Sequence, residues 1–181
     1  MVQMSKASIR KQYKKIREAL PAKQVKKLSV LINKNLSQQE EYKQAKNIGS
    51  YYPINNEVIV GDDPNKKFYY PKITDEKLSF CSASTEFSIN EFGIKEPVNS
   101  VDTELSKIDV FLLPLIAFNK SLYRIGYGGG YYDQTFSKLL HTNKKILLIG
   151  LGYEALKTDF NFQTNFDVRL DKIVTDKRIY V

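Results

Sequence analysis

Residues 110–153 read VFLLPLIAFNKSLYRIGYGGGYYDQTFSKLLHTNKKILLIGLGY. The two ends, VFLLPLIAF (110–118) and ILLIGLGY (146–153), are almost continuously apolar. A strand with one wet face alternates apolar and polar residues, whereas an unbroken apolar run marks a central parallel strand covered by helices on both faces. Between the runs, Tyr132, Phe136, Leu139 and Leu140 recur at helical spacing within Tyr131 to Leu140. The order strand, loop, helix, strand predicts an α/β fold: a three-layer α/β/α sandwich with a mostly parallel central sheet.

Working outward, further β-rich runs bounded by turn residues stand at NIGSYYP (47–53), KKFYYP (66–71), KLSFCSAS (77–84) and DKIVTD (171–176). Amino-terminal to them the period is helical. Ser5 can cap a first helix with Ile9, Tyr13, Ile16 and Leu20 on one stripe. Pro21 suits the first turn of a second helix striped by Val25, Leu28, Ile32 and Leu36. Ser37 followed by Glu40 has the spacing of a capping box and predicts a short third helix.

With 181 residues, 42% of them hydrophobic and 27% charged, the chain is expected to form one soluble domain over residues 1–181. No apolar run approaches the ~20 residues of a membrane span, and the basic start shows no apolar signal region, so a cytoplasmic protein is expected. Cys81 is the only cysteine, which excludes an internal disulfide, and reads as a small buried hydrophobe. His141 is the only histidine and reads as a helix-end residue, so a Cys/His zinc site has too few ligands and a Ser-His-Asp triad would need His141 itself. The net charge of +8 is entirely amino-terminal: residues 1–46 hold 12 Lys/Arg against 3 Asp/Glu, and the remainder 16 against 17. Such a block suits an anionic partner: nucleotide phosphates, a polyanionic small molecule or nucleic acid. Lys6 and Arg10 stand four apart and share a helix face, aimed at one anion or simply solvated.

Four of the nine glycines fall between Gly126 and Gly130, in RIGYGGGYYD (124–133). A loop with few side chains that follows a buried strand and opens a helix lets backbone amides cradle an anion. It is neither a Rossmann fingerprint, which would need glycine at Tyr131, nor a Walker loop, since Gly130 precedes Tyr131 and Tyr132. Arg124 can grip two phosphate oxygens, and Asp133 can hold a magnesium ion that bridges phosphates. The plainer alternatives are a turn that needs positive φ and a carboxylate that complements a helix dipole.

The segment Leu112 to Phe136 resembles the signature of the 5-formyltetrahydrofolate cyclo-ligases, or methenyltetrahydrofolate synthetases. KASIR, YYPINNEV, YYPKI, FGIKEP and LDKIVTD resemble further blocks of that family, in order, over most of the chain. The resemblance implies conversion of 5-formyltetrahydrofolate and ATP to 5,10-methenyltetrahydrofolate, ADP and phosphate, with magnesium. The formyl oxygen would take the γ-phosphoryl group before nitrogen 10 closes the ring. By position, it implies ATP binding by Lys6, Arg10, Arg124, Ile125, Gly126, Tyr127, Gly128, Gly129, Gly130, Tyr131 and Tyr132, with Lys6 and Arg124 as catalytic cations. It implies metal binding by Asp133 and Asp171, and folate contacts from Tyr52, Glu57 and Tyr131. The implied partners are small-molecule substrates, without nucleic acid or membrane, on a monomer or weak homodimer.

The chain departs from the family in four places. Only VIVGDDPNKKFYY separates Glu57 from Pro71, where the family fits a helix, so that helix is expected to be shortened or lost. Tyr127 stands where many members carry a cation, Asn119 where Asp is favoured, and Phe166 where His often precedes Asp167. Two rival readings remain at this stage. One is a nucleic-acid binder using the basic amino-terminal helices, although its aromatics are not interleaved with Lys/Arg. The other is a sugar-phosphate isomerase or acyl-transfer relative on the same sandwich.

Overall fold

The computed structural model describes residues 4–74, 77–82, 86–91, 93–98, 100–139 and 146–181. His141 and Leu140 lie outside them.

Three helices lead: α1 (Lys6–Glu18), α2 (Ala22–Ser37) and α3 (Glu40–Gln44). Ser5 caps α1 as its sequence predicts, its Oγ accepting from the Ser8 amide at 3.1 Å. The buried face of α1 differs from the expected stripe. Ile16 is 37% exposed, and Arg17 is buried in its place, in line with Ile9 and Tyr13 at intervals of four. The capping box at Ser37 does not form: Ser37 ends α2, and α3 starts from Gln39 without a side-chain cap.

The strands follow as β1 (Asn47–Gly49), β2 (Lys67–Thr74), β3 (Lys77–Ser82), β4 (Phe87–Ile89), β5 (Lys95–Pro97) and β6 (Asp102–Thr103). Then come β7 (Val110–Pro114), β8 (Ala117–Phe118), β9 (Arg124–Ile125), helix α4 (Tyr131–Leu139), β10 (Leu147–Leu151), β11 (Lys172–Val174) and β12 (Ile179–Tyr180).

Eight strands form the main sheet in the order β12-β11-β10-β7-β1-β2-β3-β6. The pairs from β11 across to β2 are parallel, and the outer pairs are antiparallel. Val110, Phe111, Leu112 and Leu113 of β7 are all buried, so both faces are covered. Phe111 turns toward α4, its ring centroid 4.7 Å from that of Phe136, and alternation sends Val110 and Leu112 to the opposite face. These layers are the α/β/α sandwich read from the sequence. Cys81 is fully buried in β3. No helix among the described residues is long and apolar enough to cross a membrane.

The topology fixes where a ligand can sit. From β1 the chain moves outward through β2 and β3, then returns to β7 on the other side of β1 and continues to β10 and β11. The point where strand order reverses, at the carboxyl ends of β1 and β7, is where open α/β sheets leave a crevice.

No helix forms between Glu57 and Pro71. Residues 58–63 carry no regular secondary structure and lead into a turn at 64–66, and the segment is held on α2 by Ile59 N donating to Ser29 Oγ (3.0 Å), Gly61 N to Asn33 Oδ1 (2.8 Å) and Asn33 Nδ2 to Ile59 O (2.7 Å).

Candidate active site

A cavity of about 1060 Å³ opens at that crevice, between Tyr51 and Tyr52 beyond β1 and Pro114 to Ile116 at the end of β7. One end is cationic. Lys6 and Arg10 reach it from α1, one turn apart, and neither is a solvated face. Arg10 Nε donates to Gly126 O at 2.7 Å, which clamps the glycine loop to the helix.

The loop needs its glycines for two different reasons. Gly128 has φ +108 and Gly130 φ +71, in the region that disfavours side chains, and a Cβ at Gly129 would stand 2.6 Å from the Tyr131 ring. Gly130 O accepts from Gln134 N, so the loop leads straight into the first turn of α4. Backbone and helix amino-terminus together therefore face the cavity beside two cations, which suits phosphate oxygens. Arg124, 7% exposed, lies over the Tyr132 ring with its carbon 5.0 Å from the centroid, and its Nη2 is 3.6 Å from Asp133 Oδ1. Its Nε has no hydrogen-bond partner.

Two carboxylates stand at this end, and they are Asp133 and Asp167. Asp133 Oδ1 accepts at 3.1 Å from the amide of Val168, the residue after Asp167 in the chain. Asp167 pairs with Lys6 and accepts from the Thr164 amide at 2.7 Å. Burial pushes its carboxyl up, but Lys6 and the Thr164 amide and hydroxyl outweigh that and hold it below the ordinary aspartate value. Asp171 does not line the cavity. Its Oδ2 accepts from Leu148 N at 2.8 Å while its own amide donates to Leu148 O, a clasp across the starts of β10 and β11. These starts are the sheet edge opposite the crevice, so the expected pairing of Asp171 with Asp133 is corrected. Ile125 is corrected too: it is fully buried among Ile9, Ala117 and Phe162.

The other end of the cavity is aromatic and apolar. Tyr52 stacks on Tyr70 with centroids 4.1 Å apart, and Phe87 meets its edge at 5.2 Å. Glu57 projects from a turn in which Asn55 (φ 48) and Asn56 (φ 62) take left-handed conformations that Asn tolerates. Asn56 Nδ2 in turn donates to the carbonyls of Arg17, Glu18 and Leu20, which ties the turn to the end of α1.

Behind the cavity wall stands Arg17, which the sequence reading did not single out. It is 1% exposed, donates from Nη1 to Leu115 O at 2.9 Å and to Glu57 Oε1 at 3.4 Å, and from Nη2 to the Tyr127 hydroxyl. Its signal was a basic residue aligned with Ile9 and Tyr13. Burial pushes the Glu57 carboxyl up to about 7, against the pull of Arg17 and of the Ile54 amide. Tyr127, Tyr131 and Tyr132 all line the cavity, with Tyr127 held between Arg17 and Asn55 Nδ2 (3.1 Å). Asn119 is buried away from the site and accepts the Ser121 and Tyr123 amides in its own turn, whereas Phe166 is 88% exposed at the cavity rim.

The chain matches the family model described as the 5-formyltetrahydrofolate cyclo-ligase family over residues 2–176. It is 35% identical over 175 residues to the 5-formyltetrahydrofolate cyclo-ligase of Mycoplasma pneumoniae, covering 96% of this chain and 100% of that one. It is 31% identical over 179 residues to the enzyme of the same name from Haemophilus influenzae, covering 92% and 95%. Among solved structures, it resembles the 5,10-methenyltetrahydrofolate synthetase of M. pneumoniae with TM-score 0.78 and 31% identity, covering 96% and 99%. The Aquifex aeolicus 5,10-methenyltetrahydrofolate synthetase gives TM-score 0.81 at 27% identity, covering 97% and 92%. A match over nearly the full length of both sequence and fold leaves one assignment: this chain belongs to the 5-formyltetrahydrofolate cyclo-ligase family and is one of its enzymes.

Proposed function

We propose that the chain converts 5-formyltetrahydrofolate to 5,10-methenyltetrahydrofolate, coupled to hydrolysis of ATP to ADP and phosphate. The observation that carries this reading is one continuous cavity with two chemically different ends. Lys6, Arg10, Arg124 and the glycine loop make the first a triphosphate cradle; Tyr52, Tyr131 and Glu57 make the second a wall for a flat, N–H-rich ring.

An amide-type formyl oxygen is a weak nucleophile and a poor leaving group. Phosphorylating it solves the second difficulty, and holding it in line with the γ-phosphorus addresses the first. In this reading Lys6 and Arg124 steady charge on the transferring group, the loop amides fix the phosphates, and nitrogen 10 attacks the activated carbon as phosphate departs. Arg10 orients the loop through Gly126 and also faces the phosphates.

The donor set fits magnesium. Asp133 and Asp167 both line the cavity at the phosphate end. That is the pattern for an ion held by one or two carboxylates and completed by substrate phosphates and water. Asp133 and Asp167 would hold it, and when bound it neutralises phosphate charge and polarises the transferring group. The protein would act on small molecules in the cytoplasm as a monomer or weak homodimer.

The test is near-ultraviolet absorbance of the protein with 5-formyltetrahydrofolate, magnesium and ATP. A band from the conjugated methenyl product that grows only with ATP is the expected result. Its absence with folded protein would remove the reading.

A further inference from the structure

Among the described residues of FGIKEP, Ile94 and Glu96 line the cavity, and Glu96 has no part in the function proposed for that cavity. It is 9% exposed, sits in β5 and lines the same cavity as Tyr52, Pro71, Ile73 and Leu78. Its Oε1 accepts two neutral hydrogen bonds, from Ile73 N and from Asn90 Nδ2, both at 2.9 Å. The first closes a gap in the sheet: β1 pairs with β2 only from Lys67 to Tyr69, so the Ile73 amide has no strand on that side. The second fixes the tip of the β4–β5 hairpin, where Asn90 and Ile94 also exchange bonds of 3.0 Å.

Both of these duties fall on one oxygen, and both could be met by an amide. Oε2 accepts nothing among the described residues, yet it is not one of the fully enclosed orphan atoms of the structure. No ion pair among the described residues involves Glu96, unlike Glu57, whose two oxygens already accept from Arg17 and Ile54 N. A carboxylate has about four acceptor sites, and an oxygen left without a donor at a cavity wall is satisfied when a ligand brings an N–H to it.

We propose that Glu96 is a second carboxylate anchor of the substrate end, whose Oε2 receives an N–H donor of the bicyclic folate ring. This inference rests on the folate reading of the cavity. Glu57 and Glu96 then hold the ring from two sides, with Tyr52 between them as a wall, and ring orientation is set before the nucleotide end engages.

The test compares wild type with Glu96→Gln, which keeps an acceptor for Ile73 N and Asn90 but presents a donor where Oε2 stands. Binding of 5-formyltetrahydrofolate without nucleotide is measured by calorimetry, with ATP binding and the unfolding midpoint as parallel readouts. A lost charge-assisted hydrogen bond predicts folate affinity weaker by about tenfold or more, with KM raised more than kcat is lowered. ATP affinity and the unfolding midpoint should stay unchanged. Glu96→Gln binding folate as wild type does overturns the proposal while leaving the cyclo-ligase reading intact. Wild type that neither binds nor turns over folate overturns both. A second readout uses 5-formyltetrahydrofolate methylated at its ring nitrogens, bound to wild type and to Glu96→Gln. A methylation penalty that is smaller in Glu96→Gln than in wild type supports the anchor, and an equal penalty in both overturns it.

Discussion

The Arg17 guanidinium stands 3.4 Å from Glu57 Oε1, with the two side chains at 1% and 4% exposure. The pair joins the last turn of α1 to the turn after β1, and Arg17 extends the junction to Leu115 and Tyr127. Removing one partner of such a pair strands a charge in the interior. Arg17→Ala should therefore lose about 3–5 kcal/mol of stability in urea denaturation. It should also weaken folate binding at pH 7, because Glu57 without its cation is driven further toward the neutral acid. A variant as stable as wild type would show that solvent reaches the pair.

Glu57 gives the folate site a pH dependence of defined sign. Burial raises its pKa to about 7 in the folded chain against 4.5 ordinarily, and in the proposed reading the ionised form is the one that accepts ring N–H donors. Folate affinity should fall up to about tenfold per unit below pH 7 and level off above it, and Glu57→Gln should abolish the inflection. Stability runs the other way. An acid whose folded pKa is raised contributes fully below about 4.5, and that contribution declines as pH climbs toward 7. Affinity measured from pH 5.5 to 8.5 decides it, and a flat profile would exclude Glu57 as the acceptor.

Asp167, and not Asp171, is expected to share the metal with Asp133. Asp133→Asn and Asp167→Asn should each raise the magnesium concentration for half-maximal activity by about tenfold or more, since losing even an outer-shell partner costs about that much. Asp171→Asn should leave it unchanged and lower the unfolding midpoint, because the clasp to Leu148 weakens. The reverse pattern would restore the assignment read from the sequence.

Lys6 and Arg10 should be separable from the folate end. Lys6→Ala and Arg10→Ala are each expected to weaken ATP binding by about tenfold or more, with folate affinity held within about twofold. Loss of folate binding alone would place the phosphates elsewhere.

Gly129→Ala asks whether the loop needs its close approach. The added methyl would meet the Tyr131 ring at 2.6 Å, so either the ring or the loop must move. Activity should drop by at least about tenfold with little change in unfolding midpoint, as a small displacement of positioning groups costs rate more than stability.

The sequence was most informative where a pattern is dictated by a single physical demand. Unbroken apolar runs require two covered faces, and β7 and β10 obey. Clustered glycines mark backbone that side chains cannot occupy, and Gly128 and Gly130 take positive φ while Gly129 has no room for a Cβ beside Tyr131. Legibility failed where one residue type serves several ends. Asp167 and Asp171 lie four apart on one segment, and nothing local tells the cavity-facing carboxylate from the one that clasps two strands. Arg17 looked like one more cation of a basic helix, because its burial depends on Glu57, Leu115 and Tyr127 arriving from distant parts of the chain. Glu96 was quoted within its block without a role, since its two amide partners become apparent only in the folded sheet.

Lys6 and Asp167 are paired across 161 positions of sequence. Loop closure of that span is entropically unfavourable until the sheet between them has formed, so the phosphate end is among the last parts of the molecule to assemble. A chain still emerging from synthesis holds the glycine loop and α1 but not the 164–167 segment that completes the pocket. In the proposed reading, nucleotide that binds only the finished site would add to the stability of the whole fold by mass action, and its supply would set how firmly the segments of Lys6 and Asp167 stay together.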